Sequence, residues 1–223
     1  NDSIGFNMWL AHDFVPTYYM FQLVDNDLGE TMISLLNKKF DDYRKVPFII
    51  RGNGLANGLF DFENDRLKKL KELEIFYLKE YFIHPNCGIK PEDLYEYAEA
   101  IGILKYKKIT EYILKNKVTL GLILPLAYEM GYKNIVLCGM DMKDSSHFWD
   151  YKPNLHLKHL YGLVEPNRAD INQWNSKNKY TTTIPENVFA FHHWAYKKNK
   201  VQVFVANENT LLYPGLKLFF DNE

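Results

Sequence analysis

Three groups of residues carry types and spacings that could do chemistry. The first lies in the stretch 117–141, KVTLGLILPLAYEMGYKNIVLCGMD. At its front Thr119, Leu120 and Gly121 offer a hydroxyl, free backbone N–H groups at a helix start and a residue without Cβ, a set that suits a phosphate or carboxylate. At its end the chain breaks at Gly139 and delivers Asp141 just past a strand, where open α/β sheets bind ligands. A plain helix and strand, with Gly121 present only for close packing, explains the same residues. The second group sits in turns. Asp25-Asn26-Asp27 follows a strand and could hold a metal and a diphosphate, or cap a helix. Gly52-Asn53-Gly54 lets backbone approach a ligand at Asn53, or makes an ordinary turn. The third group is the histidines. His147 can titrate near neutrality and handle a proton. His156 and His159 are three apart and would share a helical face, but no third ligand stands out, so no metal is expected. His192 and His193, beside Trp194, read as packing residues.

These groups need elements to position them. Thr119 can cap a helix whose apolar residues run from Leu120 to Met130, Gly131 closes it, and Ile135-Val136-Leu137-Cys138 is apolar and β-branched enough for a buried strand. That is half of a parallel α/β sheet. Pro125 removes a helical hydrogen bond, so the helix is expected to bend or start late.

The rest of the chain alternates in the same way. Residues 3–7 and 17–24 read as two strands around a turn, 30–44 as an amphipathic helix, and 46–51 as a strand. Residues 65–80 are charge-rich and partly helical, with Lys and Glu spaced as on a solvated face. Helices are expected at 91–98, 107–115 and 185–197, and a last strand at 201–205. Residues 142–183 are polar, aromatic and without periodicity, and so long a loop leaving the ligand end of a sheet suggests a lid.

Composition sets the limits. The 223 residues, 47% hydrophobic, are enough for one α/β domain with a lid. With 27 basic against 28 acidic residues there is no overall electrostatic case for nucleic acid. Two distant cysteines, Cys87 and Cys138, argue against a disulfide framework and for a reducing compartment. No apolar run approaches the ~18 residues of a membrane span, and no signal peptide is seen. The aromatic fraction, 16%, suits either a Tyr-rich core or stacking on a sugar or base. Because the chain opens at Asn1 in a strand-like segment, an amino-terminal piece is expected to precede it.

In order, these pieces resemble the bacterial sialyltransferases of glycosyltransferase family 42, which build host-like lipooligosaccharide. The likeness is strongest over Lys117 to Asp150. There K-V-T-L-G-L, A-Y-E-M-G-Y-K-N-I-V-L-C-G-M-D and S-S-H-F-W-D look like the family's R-I-T-S-G-V, A-I-A-L-G-Y-K-E-I-Y-L-S-G-I-D and S-S-Y-A-F-D. Phe6-Asn7 looks like the Cys-Asn that touches the nucleotide, Met20-Phe21-Gln22 stands where the family has Phe-Tyr-Asn, and K-V-Q-V-F-V-A-N-E-N-T-L-L resembles its final strand. About two-thirds of the chain is covered.

The resemblance implies an α/β fold: a single Rossmann-like domain, a GT-A-like variant with a mainly parallel sheet flanked by helices, plus a lid. Residues 1–141 would be the nucleotide-binding core, 142–183 the lid and 184–223 the closing helix and strand. It implies metal-independent transfer from a CMP-sugar, with no cofactor. Asn7, Gln22, Asn53, Thr119, Leu120, Gly121, Gly139, Asp141 and Thr183 would bind substrate, and His147, His159 and Tyr180 would be catalytic. Departures are specific. Thr183 stands where the family has its general-base histidine, His147 where it has a lid tyrosine, and Leu120 where it has a hydroxyl residue, while Tyr180 matches a second phenol. The implied partners are a nucleotide sugar and a glycan acceptor of lipooligosaccharide or capsule type. Peripheral membrane association, a homo-oligomer and a cytoplasmic location at the inner face of the inner membrane are further expectations; nucleic acid is not expected. Two other classes compete: a nucleotide-binding protein that has lost transferase chemistry, and a Mg²⁺-dependent phosphotransferase using Asp25 and Asp27.

Overall fold

The structure is a computed structural model of the chain. It describes residues 1–21, 27–51, 68–83, 89–109, 112–116, 119–140 and 183–220, without the side chains of 27, 28, 68 and 69. The strands are β1 (Ile4–Phe6), β2 (Tyr18–Phe21), β3 (Phe48–Arg51), β4 (Ile75–Ile83), β5 (Tyr112–Asn116), β6 (Asn134–Leu137) and β7 (Gln202–Val205). The helices are α1 (Asp27–Lys38), α2 (Phe40–Tyr43), α3 (Pro91–Ala100), α4 (Leu120–Glu129) and α5 (Ile184–Asn199). Five strands form a mostly parallel sheet in the order β1-β2-β3-β4-β5, while β6 and β7 pair in parallel as a separate two-stranded sheet. The fold is therefore α/β, with helices flanking the sheet. The described residues divide into two compact units, 1–80 and 81–140 with 183–220.

In the first unit, β1, β2 and β3 pair in parallel through Ile4↔Tyr18 and Tyr19↔Phe48, and β3 pairs with β4 through Phe48↔Ile75. Parallel pairing requires a crossover. The expected simple turn between the first two strands is in fact a 3-10 turn at Asn7–Ala11, which returns the chain so that β2 runs alongside β1. Helix α1 buries Met32, Ile33, Leu35 and Leu36, one stripe of a 3.6-residue period. The expected single helix over 30–44 is interrupted at Lys39, whose ψ of 17° leaves the helical range before α2 begins. An aromatic layer fills the core: the Tyr19 ring lies 5.3 Å from Phe48 and 5.7 Å from Tyr43.

In the second unit, α4 follows its expectation closely. It ends at Gly131, whose φ of 88° is a conformation that L side chains avoid. Gly131 N–H donates to the Tyr128 carbonyl and Tyr132 N–H to that of Ala127, so the last carbonyls are satisfied at the stop. The helix starts differently. Thr119 is itself helical and makes no side-chain cap, although its carbonyl accepts from Leu122 and Ile123, both at 3.0 Å. Helix α4 runs through Pro125. Cys138 lies beyond β6 and is exposed, which corrects its placement in a buried strand. The core gathers Tyr95, Tyr128, Phe191 and Trp194 between α3, α4 and α5.

Two further expectations are corrected in part. Of the charge-rich stretch 65–80 expected to be partly helical, 68–72 form a 3-10 helix but 75–80 belong to β4, and β5 at 112–116 overlaps the expected 107–115 helix. Ile113 and Leu114 are fully buried, and burial of such residues in a sheet outweighs the modest helix propensity of the lysines around them.

Candidate functional site

Two places in the described structure hold groups of functional interest, one in each unit. In the first unit they lie at the carboxyl ends of parallel strands, the edge at which open α/β sheets take ligands. Asn7 directly follows β1 with φ 52°, the left-handed conformation that Asn tolerates better than most L residues. It is exposed, and its carbonyl accepts a hydrogen bond from the Tyr19 hydroxyl. Burial raises that phenol well above its ordinary pKa, so Tyr19 stays a donor and fixes the backbone of Asn7. At the end of β3, Arg51 forms a two-pronged pair with Glu80 of β4, Nε to Oε1 and Nη2 to Oε2, the latter at 3.2 Å. Both side chains are buried. Paired in this way, each charge compensates the desolvation of the other.

In the second unit, the front of α4 is packed tightly against β5. A Cβ on Gly121 would stand 1.8 Å from the Asn116 carbonyl oxygen, so close helix-on-strand packing accounts for this glycine. Beneath it, Asn116 Nδ2 donates to Asn187 Oδ1 at 2.5 Å, and Asn187 Nδ2 donates to the Thr183 carbonyl at 2.9 Å. A void of about 10 Å³ lies among Tyr95, Asn116, Leu120, Gly121, Leu124, Ile184, Asn187 and Val188. That is room for one water at most, so the void itself does not hold a nucleotide.

Thr183 has a defined structural task. Its Oγ1 accepts from Glu186 N–H at 3.3 Å, and the Glu186 carboxylate accepts from Thr183 N–H at 2.8 Å, a reciprocal cap on α5. The T-x-x-E spacing was legible as such a cap. Gly139 has φ 68°, with nothing within 4 Å of an added Cβ, so backbone conformation accounts for it. Of the other predicted positions, Gln22, Asn53, Asp141, His147, His156, His159 and Tyr180 lie outside the described residues, as do Asp25 and the side chain of Asp27. So does the expected lid, apart from Thr183.

Sequence reasoning missed Arg51, Glu80, Asn116 and Asn187. The signal for Arg51 was a lone charge closing the apolar run Phe48-Ile49-Ile50. Among the described residues, no three His, Cys, Asp or Glu side chains are grouped to hold a metal ion, and no helix is long and apolar enough to cross a membrane. The class these observations define is an α/β protein of Rossmann-like type. No family model matches the chain, and neither does any curated protein or solved structure.

Proposed function

We propose that this chain is a metal-independent glycosyltransferase that moves an acidic sugar, sialic acid or a relative, from a CMP donor to a hydroxyl of a bacterial surface glycan. The observation that carries the reading is the stretch of strongest family resemblance. Over residues 119–140 it folds as helix, left-handed glycine, parallel strand and second left-handed glycine. The exposed Asn7 at the end of β1 adds support, since ligands of open α/β sheets bind at that edge. On this reading the scaffold is a GT-A-like variant. Asn7, Gln22, Asn53, Thr119 to Gly121, Gly139 and Asp141 are the candidates to bind the donor. The sugar–phosphate bond breaks, CMP departs with the bonding electrons, and His147 and Tyr180 stabilise the charge that develops on its phosphate. The acceptor hydroxyl bonds to the sugar and gives its proton to His147 or His159.

One observation favours a second reading, a nucleotide-binding protein without transfer activity. The position of the family's base is a threonine whose hydroxyl is committed to a helix cap. The deciding experiment incubates the protein with CMP-sialic acid, a UDP-sugar or ATP, with and without EDTA, and follows both binding and turnover. EDTA-insensitive cleavage of the CMP-sugar is the expected result. Binding without turnover selects the second reading, and EDTA-sensitive use of ATP selects a phosphotransferase instead.

A further inference from the structure

The 3-10 turn that begins at Asn7 is held by one imidazole ring. Trp9 of that turn packs on β1 where Gly5 has no side chain, since a Cβ there would stand 2.7 Å from Trp9 Cδ1. The His12 ring stacks on Trp9, with centroids 4.6 Å apart and planes 15° apart. Trp9 Nε1 donates to the Phe14 carbonyl at 3.0 Å, and Phe14 N–H donates to His12 Nδ1 at 2.9 Å. An Asp or Asn oxygen often accepts the N–H two residues on in this way. Here the acceptor is a ring nitrogen, which can accept only while it carries no proton. Two charged groups face the ring: Asp13, beside it in the chain, favours a proton there, and Lys39, where α1 ends, opposes one. Lys39 Nζ donates to the His12 carbonyl at 2.8 Å and lies 3.9 Å from the Asp13 carboxylate. Burial is the largest influence, and it lowers the His12 pKa below its ordinary 6.5.

We propose that His12 is a positioning residue for the donor site, a latch that holds the Asn7 turn while neutral and releases it when protonated. It acts through Trp9, which shares the 3-10 turn with Asn7. The Tyr19 hydroxyl is the second anchor of Asn7, and of the two only the imidazole changes charge near neutrality. A proton taken up from solvent turns Nδ1 into a donor that faces the Phe14 N–H, so attraction becomes repulsion. Phe14 is 52% exposed, and water can accept its N–H once the loop opens. The coupling to affinity rests on the glycosyltransferase reading, in which Asn7 serves the nucleotide; the latch itself does not.

The test titrates the whole chain from about pH 7.5 to about pH 5 and reads indole emission and CMP binding. Emission is expected to fall with a midpoint below 6.5, because an imidazolium quenches the indole it stacks on. The transition should vanish in Trp9→Phe and in His12→Asn, which keeps an acceptor for Phe14 N–H but does not titrate. Over the same range CMP affinity should fall about fivefold more in wild type than in His12→Asn, the worth of one lost hydrogen bond. That comparison cancels the titration of the CMP phosphate itself. His12→Ala, a latch already open, should bind CMP about fivefold more weakly than wild type even at the neutral end. Wild-type emission without the transition, or a transition that persists in His12→Asn, overturns the latch, and wild type with Trp9→Phe decides it if a His12 variant fails to fold. Parallel CMP curves in wild type and His12→Asn overturn the coupling to the donor site. Should CMP bind at no pH, the functional reading fails together with the coupling, and the emission titration still upholds or overturns the latch.

Discussion

A methyl group on Gly121 would sit 1.8 Å from the Asn116 carbonyl oxygen, and backbone on both sides leaves it nowhere to go. Gly121→Ala is therefore expected to lower stability by about 1–3 kcal/mol or more through overpacking, read as a fall in the urea midpoint. At the start of α5, Thr183→Ala should cost about 1 kcal/mol in the same assay, and Thr183→Ser much less, because serine restores the cap oxygen. Gly131 and Gly139 were readable from sequence because each stops a strongly apolar element. Thr183 was readable as a cap too, but the family resemblance directed attention to a missing base. Close packing was one of the two readings of Gly121, but its partner Asn116 was not readable, since the residues just before it were expected to be helical rather than a strand.

The Arg51–Glu80 pair joins the end of β3 to β4, and both side chains are buried. Glu80→Gln strands a buried guanidinium and should cost about 3–5 kcal/mol, whereas Arg51→Met with Glu80→Leu should recover most of that loss. A double-mutant cycle in denaturant measures the difference. Helix α5 meets β7 through His192, whose Nδ1 accepts from Val203 N–H at 3.1 Å. Burial, then neighbouring His193, lowers the His192 pKa below its ordinary 6.5. The folded state therefore prefers neutral His192, and its contribution to stability is whole above pH 6.5. It is lost as pH falls from 6.5 through the lower folded value, so thermal midpoints should drop across that window, and less steeply in His192→Gln. At this scale α4, β6, α5 and β7 were legible, being long or strongly apolar. Strand β4 was not: its Lys79-Glu80 look solvated in sequence, yet the Glu80 side chain is only 1% exposed because Arg51 meets it.

For the molecule as a whole, acidic and basic groups nearly cancel, with an isoelectric point near 6.7. Solubility should pass through a minimum close to that pH and recover on either side, as turbidity against pH would show. The α/β class was legible because alternating apolar segments of strand and helix length admit few other layerings. The candidate site was much less so. Asn7, Asn53, Asp141 and His147 are scattered along the chain, and no local periodicity marks them as parts of one site.

The strand break at Gly139 leads in another direction. Its backbone, with φ 68°, has the handedness natural to a D residue. A chain assembled by chemical ligation could carry D-alanine at this position in its own preferred backbone region, trading the looseness of glycine in the unfolded ensemble for a stereochemical lock that no codon can specify.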